Sequence, residues 1–310
     1  HMLKKRVLVI GATGFIGQYL VRYLLPRVSE LISFSRTKNL LSGYQHICGD
    51  IRNVRDINKL VKLKPDVIFL LSSLSGQINS DENSQLSYTI SVKSNIYLLD
   101  QVVKILPSVR VIFLSSRLEY GRPIYLPVDE NHPITPLSYY GMHKTIISQY
   151  CQFLSRKHGL DTIVLRASNP YGPLLGNRYN GYNVISHFLQ QSWLNKSLPI
   201  FGSGQQKRDY LFINDFMEIL FICLNNKRVS GQIYNIGSGV GTSLIDVAKE
   251  IIKQSGKGKI AYVPWAQSEQ LVETGDYISD ISKVIRYTGW KPKTSISDVI
   301  GLSFQFIQNL

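Results

Sequence analysis

Three residues of the sequence could together move a proton to or from an alcohol or a ketone. Tyr140 and Lys144 form a Y-x-x-x-K pair in a segment expected to be helical, so both side chains lie on one helix face. A nearby ammonium group favours tyrosinate and lowers the pKa of a phenol from about 10 toward neutrality. Such a phenol is a usable general acid or base. Surface pairs with this spacing are common by chance, so the prediction depends on further residues.

Ser116 supplies the third group. It lies just after the apolar run Val109–Leu114, which we interpret as a buried strand. The carboxyl ends of parallel strands form the edge at which doubly wound sheets bind ligands, and a serine hydroxyl there could hydrogen-bond the reacting oxygen. Taken alone, Ser116 could equally cap a strand end. With Tyr140 and Lys144 it predicts a Ser-Tyr-Lys proton-transfer site.

A glycine-rich turn precedes these residues in the chain. Gly11, Gly14 and Gly17 have the spacing G-x-x-G-x-x-G between an apolar strand and a helix, with Phe15 and Ile16 in the same turn. Glycine permits a tight turn and lets backbone N–H groups approach a pyrophosphate, and the helix N-terminus adds a partial positive charge. The spacing in this context predicts dinucleotide binding; a purely structural turn is the alternative.

The end of the second predicted strand bears on the choice of cofactor. An acidic residue there would hydrogen-bond the ribose hydroxyls of NAD, but the strand ends in Ser35 and Arg36. These two side chains could hold a 2′-phosphate, which a carboxylate would repel. We therefore predict NADP, with NAD still possible. A solvated surface arginine is the alternative for Arg36. Asp50, after the third strand, could accept a hydrogen bond from the adenine amino group or cap the next helix.

The elements that must position these residues alternate between buried strands and helices. This order predicts an α/β fold with a doubly wound parallel sheet and helices on both faces. The first half is predicted to hold strands at Arg6–Ile10, Leu31–Phe34, His46–Cys48, Val67–Leu71, Val109–Leu114 and Thr162–Arg166, and helices at Phe15–Leu25, Val54–Leu63, Ser84–Leu106 and Ser138–His158.

The second half has a looser pattern of mixed short elements. We expect helices at Val184–Leu194, Asp215–Leu224, Leu244–Gln254 and Ile296–Ile307, and strands near Tyr210–Ile213 and Ile233–Ile236. We interpret it as a smaller mixed α/β lobe that covers the ligand edge of the sheet. The predicted division is residues 2–170 for the dinucleotide-binding domain and 171–310 mainly for the lobe, with some elements returning to the main sheet.

Composition limits the class of protein. The chain has 310 residues, of which 44% are hydrophobic and 18% are charged, so a disordered chain is excluded. Its apolar runs are too short to cross a bilayer. The net charge of +14 favours anionic partners, either nucleic acid or phosphorylated small molecules. The three scattered cysteines fit neither a disulfide framework nor a metal site, and a cytoplasmic setting is expected.

Taken together, these features resemble the extended short-chain dehydrogenase/reductase family, which contains the nucleotide-sugar epimerases, dehydratases and reductases. The resemblance covers nearly the whole chain. It rests on Gly11-Ala12-Thr13-Gly14-Phe15-Ile16-Gly17, Gly49-Asp50-Ile51, Ser115-Ser116 with Tyr120-Gly121, Tyr140-Gly141-Met142-His143-Lys144, Asn169-Pro170-Tyr171-Gly172-Pro173, Arg208-Asp209-Tyr210, Tyr234-Asn235-Ile236-Gly237 and Gly289-Trp290-Lys291-Pro292.

The resemblance implies a Rossmann sheet, catalytic roles for Ser116, Tyr140 and Lys144, and hydride transfer between a nicotinamide and a sugar carbon, commonly C4. Lys144 would also hold the nicotinamide ribose. Asn169 and Arg208 would bind the substrate diphosphate. For Arg208, a surface ion pair with the adjacent aspartate is the alternative.

Further cofactor contacts are also implied by the resemblance. Ile51 belongs to one of the family motifs. Leu71, Ser72 and Ser73 stand where the family usually has Leu-Ala-Ala, and we expect them beside the cofactor.

The chain departs from the family pattern at two places near the expected substrate. Arg117 and Leu118 follow the serine where the 4,6-dehydratases carry carboxylates, so dehydration lacks its usual acid and base. Arg117 could contact the sugar or a phosphate, or turn away from the site. Glu273 stands where the family often has an arginine, two residues before Gly275-Asp276, so one phosphate contact is missing or supplied elsewhere.

The missing ribose carboxylate and Arg36 favour a net reductase, because NADPH is the natural donor for such a reaction. The leading hypothesis is an NADPH-dependent reductase of a 4-keto-6-deoxy nucleotide sugar, serving 6-deoxyhexose and surface-polysaccharide biosynthesis. The alternative is a nucleotide-sugar 4-epimerase of the UDP-glucose/galactose type. A non-catalytic RNA-binding or redox-sensing relative is a remote third, so a nucleotide-diphosphate sugar and not nucleic acid or a membrane is the expected partner. The resemblance also implies a homodimer, for which the helical stripe Ile146, Ile147, Tyr150 and Phe153 offers apolar surface.

Overall fold

A computed structural model describes residues 2–38, 41–173 and 184–308. Within these ranges the strands β1 to β12 span Leu3–Ile10, Val28–Ser35, Gln45–Cys48, Val67–Leu70, Arg110–Ser116, Asp161–Ala167, Asn169–Tyr171, Ser197–Phe201, Lys207–Phe212, Gln232–Ile236, Gly241–Ser243 and Lys259–Val263. The helices α1 to α12 span Phe15–Leu24, Val54–Lys62, Gln77–Glu82, Ser84–Tyr88, Ser94–Ile105, Tyr139–His158, Val184–Trp193, Ile213–Asn225, Leu244–Ser255, Gln267–Leu271, Ser282–Thr288 and Ile296–Gln308.

The main sheet has seven parallel strands in the order β10-β6-β5-β4-β1-β2-β3. The predicted doubly wound parallel sheet is therefore confirmed. The strand order reverses between β1 and β4, and ligands of such sheets bind in the crevice outside the carboxyl ends at that point. The glycine turn follows β1, and Ser116 ends β5, so both lie at this edge.

The hydrophobic core lies on both faces of the sheet. Along β1, Val7 and Val9 belong to one cluster of buried side chains, whereas Leu8 and Ile10 belong to the cluster on the opposite face. Successive residues of a strand point to opposite faces, so a strand covered on both sides must be apolar throughout. This requirement explains why the buried strands could be found from continuous apolar runs.

Helix α6 carries two of the predicted catalytic residues in its first two turns. The Ser138 hydroxyl caps its N-terminus by accepting a hydrogen bond from the N–H of Gly141, at 3.2 Å. Its C-terminus is closed by Gly159 in the left-handed conformation, with φ of 68°. The helix packs along β5, which brings Tyr140 and Lys144 to the strand that ends in Ser116.

The single helix expected over Ser84–Leu106 is instead divided. Residues Thr89–Lys93 form a π-helical turn between α4 and α5. The Ser94 hydroxyl donates a hydrogen bond to the carbonyl of Thr89 at 2.8 Å, five residues back. Serine side chains that bond to nearby carbonyls compete with the regular helical ladder, and π-turns of this kind are inserted where the ladder is interrupted.

The second half of the chain forms two small sheets beside the main one. Strands β11, β9 and β7 make one, and β12 pairs with β8 in the other. Strand β10 lies in the main sheet, parallel to β6. Strands β7, β8, β11 and β12, of three to five residues each, were not expected from the sequence. In the described part of the chain, no helix has the length and apolar character that a membrane span requires.

Candidate functional site

The glycine turn between β1 and α1 has a shape that only glycine permits at two positions. Gly11 has φ of 92°, in the region that side chains disfavour. A Cβ on Gly17 would lie 2.3 Å from the carbonyl oxygen of Gly11, which no packing adjustment allows. Gly14 is the exposed cap residue, and Phe15 and Ile16 begin the helix. The open N-terminus of α1 and this close-packed turn fit a dinucleotide pyrophosphate.

The backbone after β4 lies against this turn. A Cβ on Gly11 would be 3.1 Å from both the carbonyl carbon of Leu71 and the nitrogen of Ser72. The buried Ser72 hydroxyl points away, donating to Oδ1 of Asn95 at 2.9 Å. Ser73 follows and is half-buried. The structure thus places Leu71 and Ser72 beside the glycine turn, with the Ser72 side chain held by α5.

The end of β2 presents one fixed and one exposed side chain. The buried Ser35 hydroxyl donates to the carbonyl oxygen of Thr37 at 2.8 Å. Arg36 is exposed. Ser35 therefore shapes the chain after the strand, whereas the Arg36 guanidinium is accessible to a ligand.

Asp50 and Ile51 lie beyond β3, on the same edge of the sheet. The Asp50 carboxylate accepts hydrogen bonds from Arg52, and this pairing holds the pKa of Asp50 below the usual range. The positive charge of Arg36 adds a smaller effect in the same direction. Asn53 caps α2 with its own side chain, so the alternative that Asp50 caps that helix is wrong. Ile51 is buried. Arg52 was not expected at this edge.

The three predicted proton-transfer residues lie at or beside the end of β5. The Lys144 ammonium donates to the carbonyl oxygen of Leu114 at 2.7 Å and lies 5.6 Å from the centre of the Tyr140 ring. Burial lowers the pKa of Lys144 to about 8. The Ser116 hydroxyl accepts a hydrogen bond from the N–H of Leu118 at 3.2 Å, which fixes its place at the strand end.

A buried carboxylate behind these residues was not expected from the sequence. Glu119 is fully buried and accepts hydrogen bonds from the hydroxyls of Ser115 and Ser148. It forms an ion pair with Arg166 at 2.9 Å. Its charge counteracts part of the burial effect on Lys144, raising the pKa of that ammonium. Glu119 thereby ties the end of β5 to α6 and to β6.

The polar network continues from Arg166 toward the second half of the chain. Arg166 donates to the hydroxyl of Tyr120 at 2.9 Å, and that hydroxyl donates to Oδ1 of Asn235 at 2.6 Å. The Asn235 amide donates to the carbonyl of Val128 at 2.8 Å. Buried polar groups need such partners, and here each link joins segments far apart in the sequence.

Arg117 does not turn away into solvent. It is buried, and its guanidinium donates to the hydroxyl of Thr274 at 2.8 Å and to Oδ1 of Asn169 at 3.4 Å. Its guanidinium carbon lies 5.1 Å from the centre of the Tyr277 ring. Burial, together with the neighbouring Arg208, lowers the pKa of Arg117 to about 10. Arg117 is therefore buried next to Ser116, and the positive charge of Arg208 is near enough to disfavour its charged form.

Arg208 pairs across the chain and not with its neighbour in sequence. Its Nη2 donates to Oε1 of Glu273 at 2.5 Å, and its Nη1 donates to the carbonyl of Gly275. Asp209 is buried and instead accepts from the N–H and hydroxyl of Ser238. The surface ion pair considered for Arg208 and Asp209 is therefore wrong.

The structure brings the sequence-predicted substrate residues together. Asn169 follows β6 and donates to the carbonyl of Asp209 at 3.0 Å, which places it between Arg117 and the strand of Arg208. Thr274 completes this group and had no sequence signal. The parallel sheet with its glycine turn and the tyrosine–lysine pair beside Ser116 define a dinucleotide-dependent enzyme of the extended short-chain dehydrogenase/reductase type.

Comparison with known proteins gives the family. The model of the "NAD dependent epimerase/dehydratase family" matches residues 7–237, and the chain belongs to that family. The chain is 30% identical to the Methanocaldococcus jannaschii protein named "Putative UDP-glucose 4-epimerase", over 98% of both chains. It is 27% identical to the CDP-paratose 2-epimerase of Salmonella typhi, over 98% of this chain and 100% of the relative.

Solved structures agree with this assignment. The UDP-glucuronic acid 4-epimerase of Bacillus cereus, whose structure contains UDP-glucuronic acid and NAD, superposes with a TM-score of 0.86 at 26% identity. The match covers 98% of this chain and 99% of that one. The protein is therefore an enzyme of a nucleotide-sugar epimerase and dehydratase family.

Proposed function

We propose that this enzyme catalyses 4-epimerisation of a nucleotide-diphosphate hexose. The observation that carries the proposal is the direct succession of Ser116 and Arg117 at the end of β5. Ser116 ends the strand on which the Leu114 carbonyl holds Lys144 beside Tyr140. Arg117 and Arg208 both hydrogen-bond the segment 273–275. A proton-transfer site and a site for an anion are thus one residue apart, as a sugar attached to a diphosphate requires.

In the proposed reaction, Tyr140 exchanges a proton with the O4 atom of the sugar. The Ser116 hydroxyl donates a hydrogen bond to the same oxygen. The Lys144 ammonium, held on the Leu114 carbonyl at 2.7 Å, favours the ionised phenol by its charge and hydrogen-bonds the cofactor ribose. When bound, the nicotinamide supplies hydride transfer at C4.

The proposed cofactor site uses the glycine turn and the neighbouring strand ends. Its residues are Gly11, Gly14, Phe15, Ile16, Gly17, Ser35, Arg36, Asp50, Ile51, Leu71, Ser72, Ser73, Tyr140 and Lys144. The close packing at Gly17 supports a backbone approach to the pyrophosphate. The substrate diphosphate would contact Asn169, Arg208 and Arg117, because guanidinium groups match phosphate in charge and geometry.

Dehydration is disfavoured because the residues that follow Ser116 supply no accessible carboxylate. Arg117 and Leu118 supply no acid, and Glu119 is fully buried against Arg166 and two hydroxyls. A carboxylate held in this way is not accessible to C5 or C6 of a sugar. The names of the relatives, a 4-epimerase and a 2-epimerase, support epimerisation further.

Arg36 favours a second candidate. Exposed at the end of β2, it suits a 2′-phosphate, and NADPH is the usual donor in a net reduction. The second candidate is therefore an NADPH-dependent reductase of a 4-keto-6-deoxy nucleotide sugar, in 6-deoxyhexose and polysaccharide biosynthesis.

One experiment separates the two candidates. The cofactor released from the purified enzyme is identified by its spectrum and chromatography. The enzyme is then incubated with UDP-glucose and UDP-N-acetylglucosamine, and in parallel with NADPH or NADH and a panel of 4-keto-6-deoxy nucleotide sugars. Retained cofactor and a C4-epimeric product support the epimerase. Stoichiometric oxidation of NADPH without epimer formation contradicts it and establishes the reductase.

We also propose a homodimer formed through α6. Phe153 and Met142 on this helix are exposed by 42% and 47%, whereas Ile147 of the predicted stripe is buried in the core of the subunit. Ile146 and Tyr150 pack partly against the same core. The exposed residues, and not the whole stripe, are the available surface. Sedimentation of Phe153→Glu beside the unmodified protein tests this proposal.

A further inference from the structure

We infer that Glu273 is an internal anion that occupies the phosphate site of the free enzyme and that the diphosphate of the substrate must displace. This inference rests on the proposed function. Its starting point is that a carboxylate of the chain itself lies on the guanidinium proposed to hold the substrate, at 2.5 Å.

Glu273 sits in a site built to hold an anion. One oxygen, Oε1, accepts hydrogen bonds from both the Arg208 guanidinium and the backbone N–H of Gly275, the latter at 2.8 Å. A guanidinium and a backbone N–H that converge on one oxygen are the donors that proteins use to bind phosphate. The carboxylate therefore fills a place that suits a phosphate oxygen.

A second cation faces the same place. The positive charges of Arg117 and Arg208 disfavour each other, and the Glu273 carboxylate favours the charged form of Arg117. Arg117 is 7% exposed, so water screens this interaction little. With Glu273 in place, the two guanidiniums share one negative charge. A diphosphate, carrying more charge, neutralises both.

The carboxylate is able to leave. The Glu273 side chain retains 24% of its exposure, about twice the 13% of the Arg208 side chain. The backbone on either side is anchored. The carbonyl of Glu273 accepts a hydrogen bond from the Arg122 guanidinium at 3.3 Å, and the N–H of Tyr277 donates to the backbone carbonyl of Lys207 at 3.0 Å. Rotation of the side chain into solvent thus exchanges one anion for another without moving the strand of Arg208.

The test measures diphosphate affinity in the cofactor-loaded enzyme. Isothermal titration with UDP, dTDP, CDP and GDP, and with the matching nucleosides, identifies the preferred base and the contribution of the diphosphate. We expect Glu273→Gln and Glu273→Ala to bind the preferred diphosphate roughly three- to tenfold more tightly, since a partly exposed ion pair is no longer broken. Nucleoside affinity stays unchanged.

Two further variants make the result specific. Glu269→Gln removes one negative charge close to Glu273 and is expected to leave the affinity unchanged. Arg208→Gln weakens diphosphate binding, and Glu273→Gln gives no gain in that background. An equal gain in Glu269→Gln, or weaker binding in both Glu273 variants, overturns the inference alone. Undiminished binding by Arg208→Gln, or no binding of any diphosphate to any variant, contradicts the proposed function itself.

Discussion

Two charge clusters on either side of Ser116 each combine two cations with one carboxylate, but they differ in how that carboxylate is held. Behind the proton-transfer site, Glu119 is fully buried and paired with Arg166, and the Lys144 ammonium is bound to a backbone carbonyl. The cluster on the substrate side has two guanidiniums, Arg117 and Arg208, that face a single half-buried carboxylate.

The difference separates residues that set geometry from residues that await a ligand. A buried ion pair with all its hydrogen bonds made gains little from further partners, and it holds its elements in one arrangement. A pair of guanidiniums with one exchangeable carboxylate gains charge neutralisation when an anion binds. Changes in the first cluster are therefore expected to alter turnover and stability, and changes in the second to alter affinity.

The largest effect is expected when the proton donor is removed and both charge clusters are left intact. Tyr140→Phe should lower kcat by a factor of about 10²–10⁴, the usual contribution of a positioned general acid or base. Diphosphate affinity should not change. The adjacent, exposed Tyr139 offers a matched control, and Tyr139→Phe should retain full kcat. Turnover of Tyr140→Phe within a few-fold of the unmodified enzyme would refute the assigned role.

Breaking the buried ion pair of Glu119 and Arg166 should cost stability. Arg166→Met leaves the Glu119 carboxylate buried without its cation, and loss of one partner from a buried pair typically costs about 3–5 kcal/mol. Urea unfolding followed by circular dichroism measures the free energy of unfolding. Adding Glu119→Gln to Arg166→Met should recover part of the loss, because it removes the stranded charge. A double variant less stable than Arg166→Met would show that the pair does not act in this way.

Altering the substrate side should change KM more than kcat. Arg117→Met keeps most of the side-chain volume but removes the charge, and losing hydrogen bonds from a charged group should raise KM roughly ten- to a hundredfold. Arg156→Met is the control, because exposed Arg156 lies in the last turn of α6, at the end remote from Tyr140. If kcat falls and KM does not rise, Arg117 belongs functionally to the other cluster.

The smallest expected effect tests the interaction of the Glu119 charge with the Lys144 ammonium. The Lys144 pKa of about 8 keeps the ammonium charged below that pH, so activity that depends on its charge should fall as the pH rises through 8. Glu119 raises this pKa, so in Glu119→Gln the alkaline limb of kcat should move to lower pH, by up to about one unit. Glu250→Gln, on distant α9, should leave the limb in place. A shift to higher pH in Glu119→Gln contradicts the assignment.

The residues of the candidate proton-transfer site could be identified because their signals are local. The glycine spacing and the pair Tyr140 and Lys144 each lie within one turn or one helix, and Ser116 ends a strand that is apolar throughout. The sheet was equally accessible, because strands buried on both faces leave continuous apolar runs. Roles for these residues, like the boundary near residue 170, stay predictions.

The charge partners could not be predicted, because they depend on contacts between distant parts of the chain. In the sequence, nothing distinguishes Glu119 from other glutamates in loops, because its partner Arg166 lies on β6, 47 residues further along the chain. Glu273 had a weak signal, its departure from the family pattern, but its pairing with Arg208 spans 65 residues. Periodicity and spacing describe neighbours along a helix or strand and contain no information on such pairs.

The return of β10 to the main sheet has a consequence for modularity. β10 is the outermost strand beside β6, and β6 is buried along nearly its whole length. Cutting the chain near residue 170 would leave the amide and carbonyl groups of β6 that face β10 unpaired, as an apolar edge open to other chains. The first half therefore cannot be moved into another protein as a self-contained cassette. Recombination with a relative should succeed only where β10 is transferred together with the first half of the chain.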